Sequence, residues 1–590
     1  MENSPFRIPK VTNSGLLERF FEKLSGLKAL ENRYEQLGGG HYQGKDFFKL
    51  VLNDFSIDHA ITAGSKSAIP SSGSAVIVTN HPTGIIDGIV LADMLMSIRD
   101  DVKVLANELL CRIPDFKDVF IGVDVLSKER KEKNKKAIFE AQQWVSEGHM
   151  LVIFPAGAVS RYDKQLRRII DPTWQLTAAK IIRNTGAHVT PIFMEGRNSW
   201  VFQLCSFIHP TLRIMRLLRE LINRQGCTVN FHIGVCQEPA DLAEFTSDRV
   251  VTNYLRLNTY LLANQGEVTK KLFRYKRLKQ PAVIAPSFPV NTLKNEIACL
   301  PASALLLKKG NMVVYCAKAS LIPHILKEIA RLREITYREV GAGTGNALYI
   351  DHYDQYYRHL FLWDAAKSEL VGAYRIGEVD KIVCERGIDG IYTHSLFRYD
   401  HALLKQMGAS LEIGRAFIKR EYQKKLLPLQ LLWKGVGAFI AANPHYKTLF
   451  GPVSINGDYD EVSRHLIASY LEANNSDQIF SALVQPRIPL RPQKNCFWRQ
   501  EHLEGLNNID KLSSLIKQIE HDKKGVPVLL RQYLKLQGVL AAFHVSPDFN
   551  NGVDGLMIVD LMQVNKTILG KYMGVDQADA YQKYHHVLIQ

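Results

Sequence analysis

The sequence predicts an α/β protein of two domains, and three observations support this. The chain has 590 residues, about four times the length of a typical domain. Short apolar runs alternate with helical patterns in the first half, which is typical of α/β layers. Near residue 285 the periodicity breaks, where a cationic run at residues 270–277 precedes a proline-rich stretch. We therefore predict domains at residues 1–285 and 286–590.

The first domain shows strand patterns in alternation with helical ones. Residues 75–79 are an apolar run after a Ser/Gly-rich turn, and residues 85–98 repeat apolar side chains at helical spacing. Two further apolar runs, 150–154 and 188–194, predict strands on either side of a helix at 174–184. In such an arrangement the functional loops follow the strand ends.

An amphipathic, basic helix is predicted at residues 211–224. Leucines and isoleucines recur on one face, while arginines occupy the other. This pattern fits a surface helix packed on the core, and it also fits a helix that contacts a membrane surface. Both interpretations remain open from the sequence.

The second domain alternates less regularly. We predict strands at 311–316, 360–363 and 370–376, a helix at 323–337, and a helix followed by a strand within 526–545. These patterns indicate a separate α+β or α/β unit.

Composition narrows the functional classes. Hydrophobic residues at 46% and charged residues at 23% are ordinary for a globular protein, and no uncharged apolar run reaches the ~18 residues needed to cross a bilayer. Residues 1–10 lack the pattern of a secretory signal, so we expect a cytoplasmic protein.

The eight cysteines form no CxxC pair, which argues against zinc and disulfides. The net charge of +15 predicts an anionic partner, and the scarcity of aromatics among the basic clusters argues against nucleic acid.

The first group of candidate residues follows the strand at 75–79. Asn80, His81, Gly84 and Asp87 lie at a predicted turn from strand to helix. An imidazole can accept a proton from an alcohol, and a nearby carboxylate can fix its tautomer and stabilise the imidazolium. The motif holds no nucleophile, so it suits direct attack of a substrate hydroxyl on an activated acyl group. His81 and Asp87 are the candidate catalytic residues.

The second group follows the strand at 150–154. Its members share one loop, and we expect them, with Asn80 and Gly84, to bind substrate: Phe154, Pro155, Gly157, Ser160 and Arg161. The glycine lets backbone N–H groups approach a phosphate or a developing oxyanion.

Together these two groups resemble the glycerolipid and lysophospholipid acyltransferase family over roughly residues 70–240. The resemblance implies that His81 is the general base, that Asp87 orients it, and that residues 154–161 help to bind the acyl acceptor. Five residues separate His81 from Asp87 where the family has four, and Ala156 replaces the family's glutamate. The second departure predicts an acceptor other than a simple glycerol phosphate.

A third group lies in the second domain. Its members are charged residues at short spacings: Arg333, Asp351, Asp354, Arg375, Glu412 and Arg415. Their order resembles the acyl-homoserine lactone synthase and ornithine N-acyltransferase branch of the GNAT fold over roughly residues 310–565. An amine must be neutral when it attacks a thioester, so a carboxylate such as Glu412 is the candidate to assist its deprotonation.

The other members of the third group are candidates for substrate binding. Asp351 and Asp354 are placed to hold a cationic substrate amine. Arg375 and Arg415, with Arg333 on the preceding helix, either grip a carboxylate or form structural ion pairs. Both interpretations are open.

The two resemblances imply a bifunctional ornithine-lipid synthase with a glycerolipid-acyltransferase-like αβ domain and a GNAT-like α+β domain. The second domain would N-acylate ornithine with a 3-hydroxyacyl group, and the first would O-acylate the hydroxyl of the lyso-ornithine lipid. No coenzyme A pyrophosphate loop is evident in the second domain, which favours acyl carrier protein over acyl-CoA as the donor. We expect the protein to act at the inner face of the cytoplasmic membrane. Neither step needs a metal or redox cofactor.

Two alternatives remain. One is a lysophospholipid acyltransferase of the 1-acylglycerol-3-phosphate type with a degenerate or partner-binding second domain. The other is a basic membrane-binding or nucleic-acid-binding protein without catalysis.

Overall fold

The structure is a computed structural model that describes residues 26–42, 44–124, 130–208, 210–264, 281–492, 496–503, 506 and 508–587. The amino-terminal residues 1–10 and the cationic run at 270–277, which carry predictions above, lie outside the described residues. The chain forms two compact units. One is Met1–Thr269 with Lys494–Lys523, and the other is Lys270–Gln493 with Lys524–Gln590.

The first unit is an α/β sheet with helices on its faces. Its elements in chain order are α1 (Leu27–Gln36), α2 (Gly44–Asp54), β1 (Asp58–Ala63), β2 (Ala75–Thr79), α3 (Ile85–Met96), β3 (Val102–Asn107), β4 (Phe120–Val123), α4 (Arg130–Ser146), β5 (Met150–Ile153), β6 (Arg161–Asp163), β7 (Arg168–Ile170), α5 (Thr177–Thr185), β8 (His188–Met194), α6 (Trp200–Ile208), α7 (Pro210–Ile222), β9 (Thr228–Ile233), α8 (Pro239–Ala243) and α9 (Asp248–Leu261). Within the described residues the main sheet has the order β1-β9-β8-β2-β5-β3-β4. Its strands are parallel except for the pair β8 and β9.

The three strands predicted in the first half are the centre of this sheet. β2 lies between β8 and β5, and β2 and β5 are buried along their whole length. Strands covered on both faces are continuous apolar runs in sequence, which is why the prediction found them. The mixed α/β class is confirmed, and the carboxyl ends of β2, β5 and β8 lie side by side.

The predicted basic helix is α7, and it packs on the core. Leu218, Leu221 and Ile222 are partly buried against the apolar cluster of the first unit. Glu220 is 3% exposed and accepts a hydrogen bond from Arg216 Nε at 3.1 Å. Of the two interpretations of this helix, the described side chains show the core-packed one.

Residues 494–523 pack in the first unit, although the linear division at residue 285 assigns them to the second domain. The side chain of Arg256 in α9 donates to the carbonyl of Phe497 at 3.2 Å. Lys511 Nζ lies 2.8 Å from Asp241 Oδ1. These long-range contacts leave no periodic pattern in the sequence.

The second half of the chain is organised around another sheet. Its elements are α10 (Val290–Ala298), β10 (Leu305–Lys309), β11 (Met312–Lys318), α11 (Pro323–Glu339), β12 (Arg358–Asp364), β13 (Glu369–Glu378), α12 (Val379–Arg386), β14 (Phe397–Arg398), α13 (His401–Met407), β15 (Ser410–Ile418), α14 (Arg420–Gln423), α15 (Leu426–Ala442), β16 (Thr448–Ile455), α16 (Glu461–Asn474), α17 (Gln478–Leu483), β17 (Gln485–Pro486), α18 (Ile509–Ile519), α19 (Val528–Lys535), β18 (Val539–Ser546), β19 (Gly552–Asp560), α20 (Lys566–Met573) and α21 (Val575–Val587). Of these, α18 belongs to the first unit.

In the described part of the second unit the main sheet has the order β10-β11-β12-β13-β15-β16-β19-β18. Its neighbours are antiparallel except β15 and β16, whose parallel pairing covers Ser410 to Glu412 on β15. The pairing with β16 ends at Glu412, whereas β15 pairs with β13 as far as Ile418. In the part of the chain that the structure describes, no helix is both long and apolar enough to span a bilayer.

Candidate functional site

The first candidate site lies where β2, β5 and β8 end. Asn80 follows β2, and its side chain joins that strand end to β8: Nδ2 donates to the carbonyl of Met194 at 2.9 Å, and Oδ1 accepts from the Met194 amide at 2.7 Å. Asn80 is 3% exposed. The two bonds fix the loop that carries the next residue, His81.

His81 and Asp87 are in contact. The distance from His81 Nδ1 to Asp87 Oδ2 is 2.8 Å, with 19% of the His81 side chain exposed and 1% of Asp87. No described residue is bonded to the other ring nitrogen, Nε2. A carboxylate on Nδ1 fixes the proton there and leaves Nε2 able to accept one. The pair therefore has the geometry of a general base with its orienting acid.

Asp87 also lies in the first turn of helix α3, as its third residue. Its carboxylate accepts the backbone N–H groups of Thr83 and Gly84, each at 2.9 Å. Gly84 has φ 107°, and a Cβ there would lie 2.6 Å from Leu217 Cδ1. Because glycine has no Cβ, Gly84 can adopt this φ beside Leu217.

The loop after β5 is bonded directly to the histidine loop. The amide of Ser160 donates to the carbonyl of His81 at 2.7 Å. The Phe154 ring lies 4.4 Å from the His81 ring, centroid to centroid. The two groups that sequence analysis placed about 70 residues apart are thus one constellation.

Asp171 is a buried residue that the sequence analysis missed. Its Oδ1 accepts from the His81 amide at 3.1 Å and from Ser160 Oγ at 2.5 Å, and Oδ2 accepts from Trp174 Nε1 at 3.0 Å. Burial raises its pKa, although these hydrogen bonds oppose the shift. An isolated aspartate before a proline carries no motif, so no sequence pattern pointed to this role.

The other residues of the second group take different positions. The Pro155 carbonyl accepts from the Gln175 amide at 2.8 Å, and Ala156 is 5% exposed. Gly157 has φ 61° and is exposed at the turn. Arg161 is exposed at the start of β6. Burial and the charge of Arg161 both lower the pKa of Arg213, so these two cations are neighbours.

The second candidate site is a buried cluster of charges in the second unit. Asp354 is fully buried, and Arg333 Nη1 donates to both of its carboxylate oxygens at 3.1 and 3.0 Å. Arg375 Nη1 lies 3.2 Å from Asp354 Oδ1. Burial alone would raise the pKa of Asp354, but the charges of the two arginines hold it below its usual range. Asp354 is therefore paired inside the protein rather than open to a substrate amine.

Asp351 lies nearer the surface of the same cluster. It accepts from Arg375 Nη1 at 2.5 Å and from Arg415 Nη2 at 3.2 Å, and 20% of its side chain is exposed. Arg415 has φ 53°, a left-handed backbone that is uncommon for a side-chain-bearing residue. Its guanidinium stacks on Tyr349 and Tyr392 at 4.7 and 4.4 Å. Such strain in a charged, aromatic-lined cluster is typical of functional sites.

Glu412 lies on β15 just before that strand leaves β16. It is 2% exposed and accepts hydrogen bonds from the Tyr357 hydroxyl and from the amides of Tyr392 and Thr393, the latter two at 3.1 and 2.6 Å. These three donors orient the loop that carries Tyr392. The three hydrogen bonds leave one lone pair of the Glu412 carboxylate to accept a proton. The role of Glu412 as a base stays a prediction.

The sequence analysis missed the tyrosines of the second site. Arg375 lies over three of them, with centroid distances of 5.0 to 5.5 Å: Tyr353, Tyr357 and Tyr392. The clustering of tyrosines within residues 349–357 could have indicated an aromatic lining of this site. Arg375 Nη2 and Arg415 Nε are buried without a hydrogen-bond partner among the described residues. The cluster can therefore bind an additional acceptor, such as a carboxylate oxygen.

Among the described residues, no three or more His, Cys, Asp or Glu side chains are grouped to hold a metal ion.

Comparison with known proteins identifies both halves. Residues 45–268 match a family model described as acyltransferase, and residues 332–434 match one described as acetyltransferase (GNAT) domain. The solved structure of the 1-acyl-sn-glycerophosphate (LPA) acyltransferase PlsC from Thermotoga maritima covers 41% of this chain and 84% of its own, at 16% identity and a TM-score of 0.24.

Two relatives bear names of acyl transfer. The glycine N(alpha)-acyltransferase of Bacteroides thetaiotaomicron is 30% identical over 259 residues, which is 41% of this chain and 75% of the relative. The lyso-glycine lipid O-acyltransferase of Phocaeicola vulgatus is 27% identical over 223 residues, which is 35% of this chain and 77% of the relative. This chain thus belongs to the acyltransferase family of the glycine N(alpha)-acyltransferase, and it joins an acyltransferase domain to a GNAT domain.

Proposed function

We propose that the chain makes an N-acyl amino acid lipid in two steps, an N-acylation in the GNAT unit followed by an O-acylation in the first unit. The observation that carries this proposal is the similarity of one chain to an N-acyltransferase and to a lyso-lipid O-acyltransferase that are separate proteins. A fused pair acts on one intermediate, because the product of N-acylation is the acceptor for O-acylation.

In the second step His81 is the general base. Its Nε2 removes the proton from the 3-hydroxyl of the lyso-lipid as the oxygen attacks the thioester carbonyl of the donor. Asp87 holds the imidazole and stabilises its charged form. The proton on His81 then passes to the departing thiolate, which restores the enzyme.

In the first step the arginine cluster binds the amino acid. The unpartnered donors of Arg375 and Arg415 suit the α-carboxylate of the substrate. Glu412 holds the loop of Tyr392 and assists removal of the ammonium proton, directly or through water. The edge of β15 after Glu412, where the pairing with β16 has ended, offers backbone groups to the acyl donor.

For the head group we favour glycine, with ornithine as the second candidate. Ornithine is favoured by the order of charged residues from Arg333 to Arg415. Its side-chain ammonium would need an open carboxylate, yet Asp354 is fully buried and Asp351 is shared by two arginines. A head group without a second amine fits this cluster better, and the names of both relatives agree with it.

For the donor we favour an acyl thioester of acyl carrier protein, whose acidic surface suits a chain of net charge +15, with acyl-CoA as the alternative. Peripheral contact with the inner face of the cytoplasmic membrane suits the lipid product. Helix α6 is the candidate contact, because Trp200, Leu204 and Phe207 are 78%, 54% and 51% exposed. Exposed apolar side chains next to cations are typical of membrane-surface helices.

Lipid analysis of a bacterial host without such lipids tests the proposal. The full chain is expected to yield both the N-acyl and the N,O-diacyl amino acid. His81→Ala should accumulate the N-acyl lyso-lipid, and Glu412→Gln should yield neither lipid. His41→Ala and Glu421→Gln, the same kinds of change at exposed positions, should match the parent. Absence of both lipids with the parent chain, or acylation of 1-acylglycerol 3-phosphate alone, would refute the proposal.

A further inference from the structure

A polar cavity of about 410 Å³ opens beside the histidine site of the first unit. Its walls come from the β6–β7 hairpin, the following residues 170–173, helices α6 and α9, and residues 499–502. Asp171 is part of this wall and also accepts the His81 amide. The cavity therefore adjoins the loop that holds the proposed base.

The segment 496–503 is fixed in place as one wall. Arg256 Nη1 donates to the Phe497 carbonyl at 3.2 Å and lies 3.3 Å from His502 Nδ1. Arg499 pairs with Asp163 on β6. A segment from the far part of the sequence thus completes a cavity that the acyltransferase motifs alone do not enclose.

Three side chains that line this cavity each carry a donor without a partner among the described residues. These donors are Gln203 Nε2, Arg256 Nε and Arg499 Nε, each buried at the atom. Gln203 and Arg256 are 3% and 4% exposed. A buried donor without a partner costs stability. Several such donors in one cavity indicate a ligand that brings its own acceptors.

The charge of the walls favours an anion. The cations are Arg161, Lys164, Arg256 and Arg499, and the acids are Asp163, Asp171 and Glu501. Asp163 is already paired, and burial raises the pKa of Asp171. Burial and the nearby arginines lower the pKa of His502 to about 3, so its imidazole is neutral. Its Nδ1 accepts from the Arg499 amide at 3.0 Å, which leaves the proton on Nε2, 3.6 Å from Glu501 Oε1.

We propose that this cavity binds the carboxylate of the acyl acceptor, the N-acyl amino acid that the first unit O-acylates. This inference rests on the proposed function. A carboxylate supplies two acceptor oxygens and one negative charge, which match the unpartnered donors and the excess of cations. Phe207 lines the cavity and lies on the exposed apolar face of α6. The site thus offers a polar end for the head group and an apolar edge for the acyl chain.

Gln203→Glu is the sharpest variant to test this site. Gln203 Oε1 accepts from the Tyr162 amide at 3.1 Å, and a glutamate oxygen keeps that bond while the other replaces the unpartnered donor with a charge. Gln142→Glu is the matched control: Gln142 lies on α4 outside the cavity, and its Oε1 accepts from Asn184 at 3.4 Å. Full-length proteins are assayed with N-(3-hydroxyacyl)glycine, its carboxamide and a lysophosphatidic acid.

The parent and Gln142→Glu should use the carboxylate acceptor roughly ten- to a hundredfold better, in kcat/KM, than the carboxamide. Gln203→Glu should lose most of that preference, chiefly through KM, with the carboxamide rate retained. Equal losses on both acceptors would mean a merely structural role and overturn the inference. Equal use of both by the parent, or a preference for the lysophosphatidic acid, would overturn it too. No O-acylation of either glycine acceptor by the parent would instead refute the proposed function.

Discussion

Replacing Asp87 by asparagine tests the proposed base without emptying the site. Asparagine has nearly the same size and shape as aspartate. Its oxygen can still accept from His81 Nδ1 and from the amides that Asp87 now holds. What disappears is the negative charge beside an imidazole that becomes positive during catalysis.

The loss follows from the geometry. Asp87 is 1% exposed, and its Oδ2 lies 2.8 Å from His81 Nδ1, which puts the centres of charge about 4 Å apart. At an effective dielectric of about 20 that separation corresponds to about 4 kcal/mol. If this stabilisation is felt in the transition state alone, kcat/KM for O-acylation falls about a thousandfold.

The assay is O-acylation of a supplied N-(3-hydroxyacyl) amino acid, with the thermal midpoint measured on the same samples. Asp93→Asn is the control, because it makes the same change on the same helix. A loss of less than tenfold in a folded Asp87→Asn protein would refute the role of the carboxylate.

Three further predictions concern stability and the second unit. Gly84→Ala should destabilise the first unit by about 1–3 kcal/mol more than Gly148→Ala. Both glycines have positive φ, but only a Cβ at Gly84 would clash with a leucine of α7. Chemical unfolding of the two variants measures the difference. Burial lowers the pKa of His359 to about 4, below its unfolded value of 6.5. The neutral imidazole therefore stabilises the fold fully above pH 6.5. This stability, about 3 kcal/mol, is lost as the pH falls from 6.5 toward 4. Unfolding at pH 7 and 5 should therefore show a larger loss for the parent than for His359→Gln, and an equal loss would contradict this. Arg415→Lys keeps the charge but not the planar stacking on the two tyrosines. N-acylation should therefore fall at least about tenfold, while O-acylation of supplied lyso-lipid stays unchanged. The control Arg420→Lys should leave both activities unchanged.

The sequence predicted the centre of the fold and missed its periphery. β2, β5 and β8 are apolar because both of their faces are largely buried. The edge strand β1 is mostly exposed or half-exposed, and its sequence has no such run. Local patterns report burial, so this edge strand was not predicted.

The same reasoning explains which site residues were found. His81 and Asp87 lie six positions apart on one turn, so their spacing determines their contact. Asp171 reaches His81 across 90 positions, and Arg499 reaches Asp163 across 336. Such contacts depend on how distant segments pack, which periodicity does not encode.

The arginine cluster shows why a matching order of charges does not by itself assign roles. The sequence places Asp351 and Asp354 in one motif, yet Asp354 is fully buried and held by two arginines, while Asp351 keeps 20% of its side chain exposed. A buried carboxylate between cations fixes their positions, because removing it would leave uncompensated charge inside the protein. Asp354 therefore positions Arg333 and Arg375, and of the two aspartates only Asp351 is exposed enough to contact a substrate. It follows that Asp354→Asn should impair folding of the second unit, whereas Asp351→Asn should impair N-acylation in a folded protein.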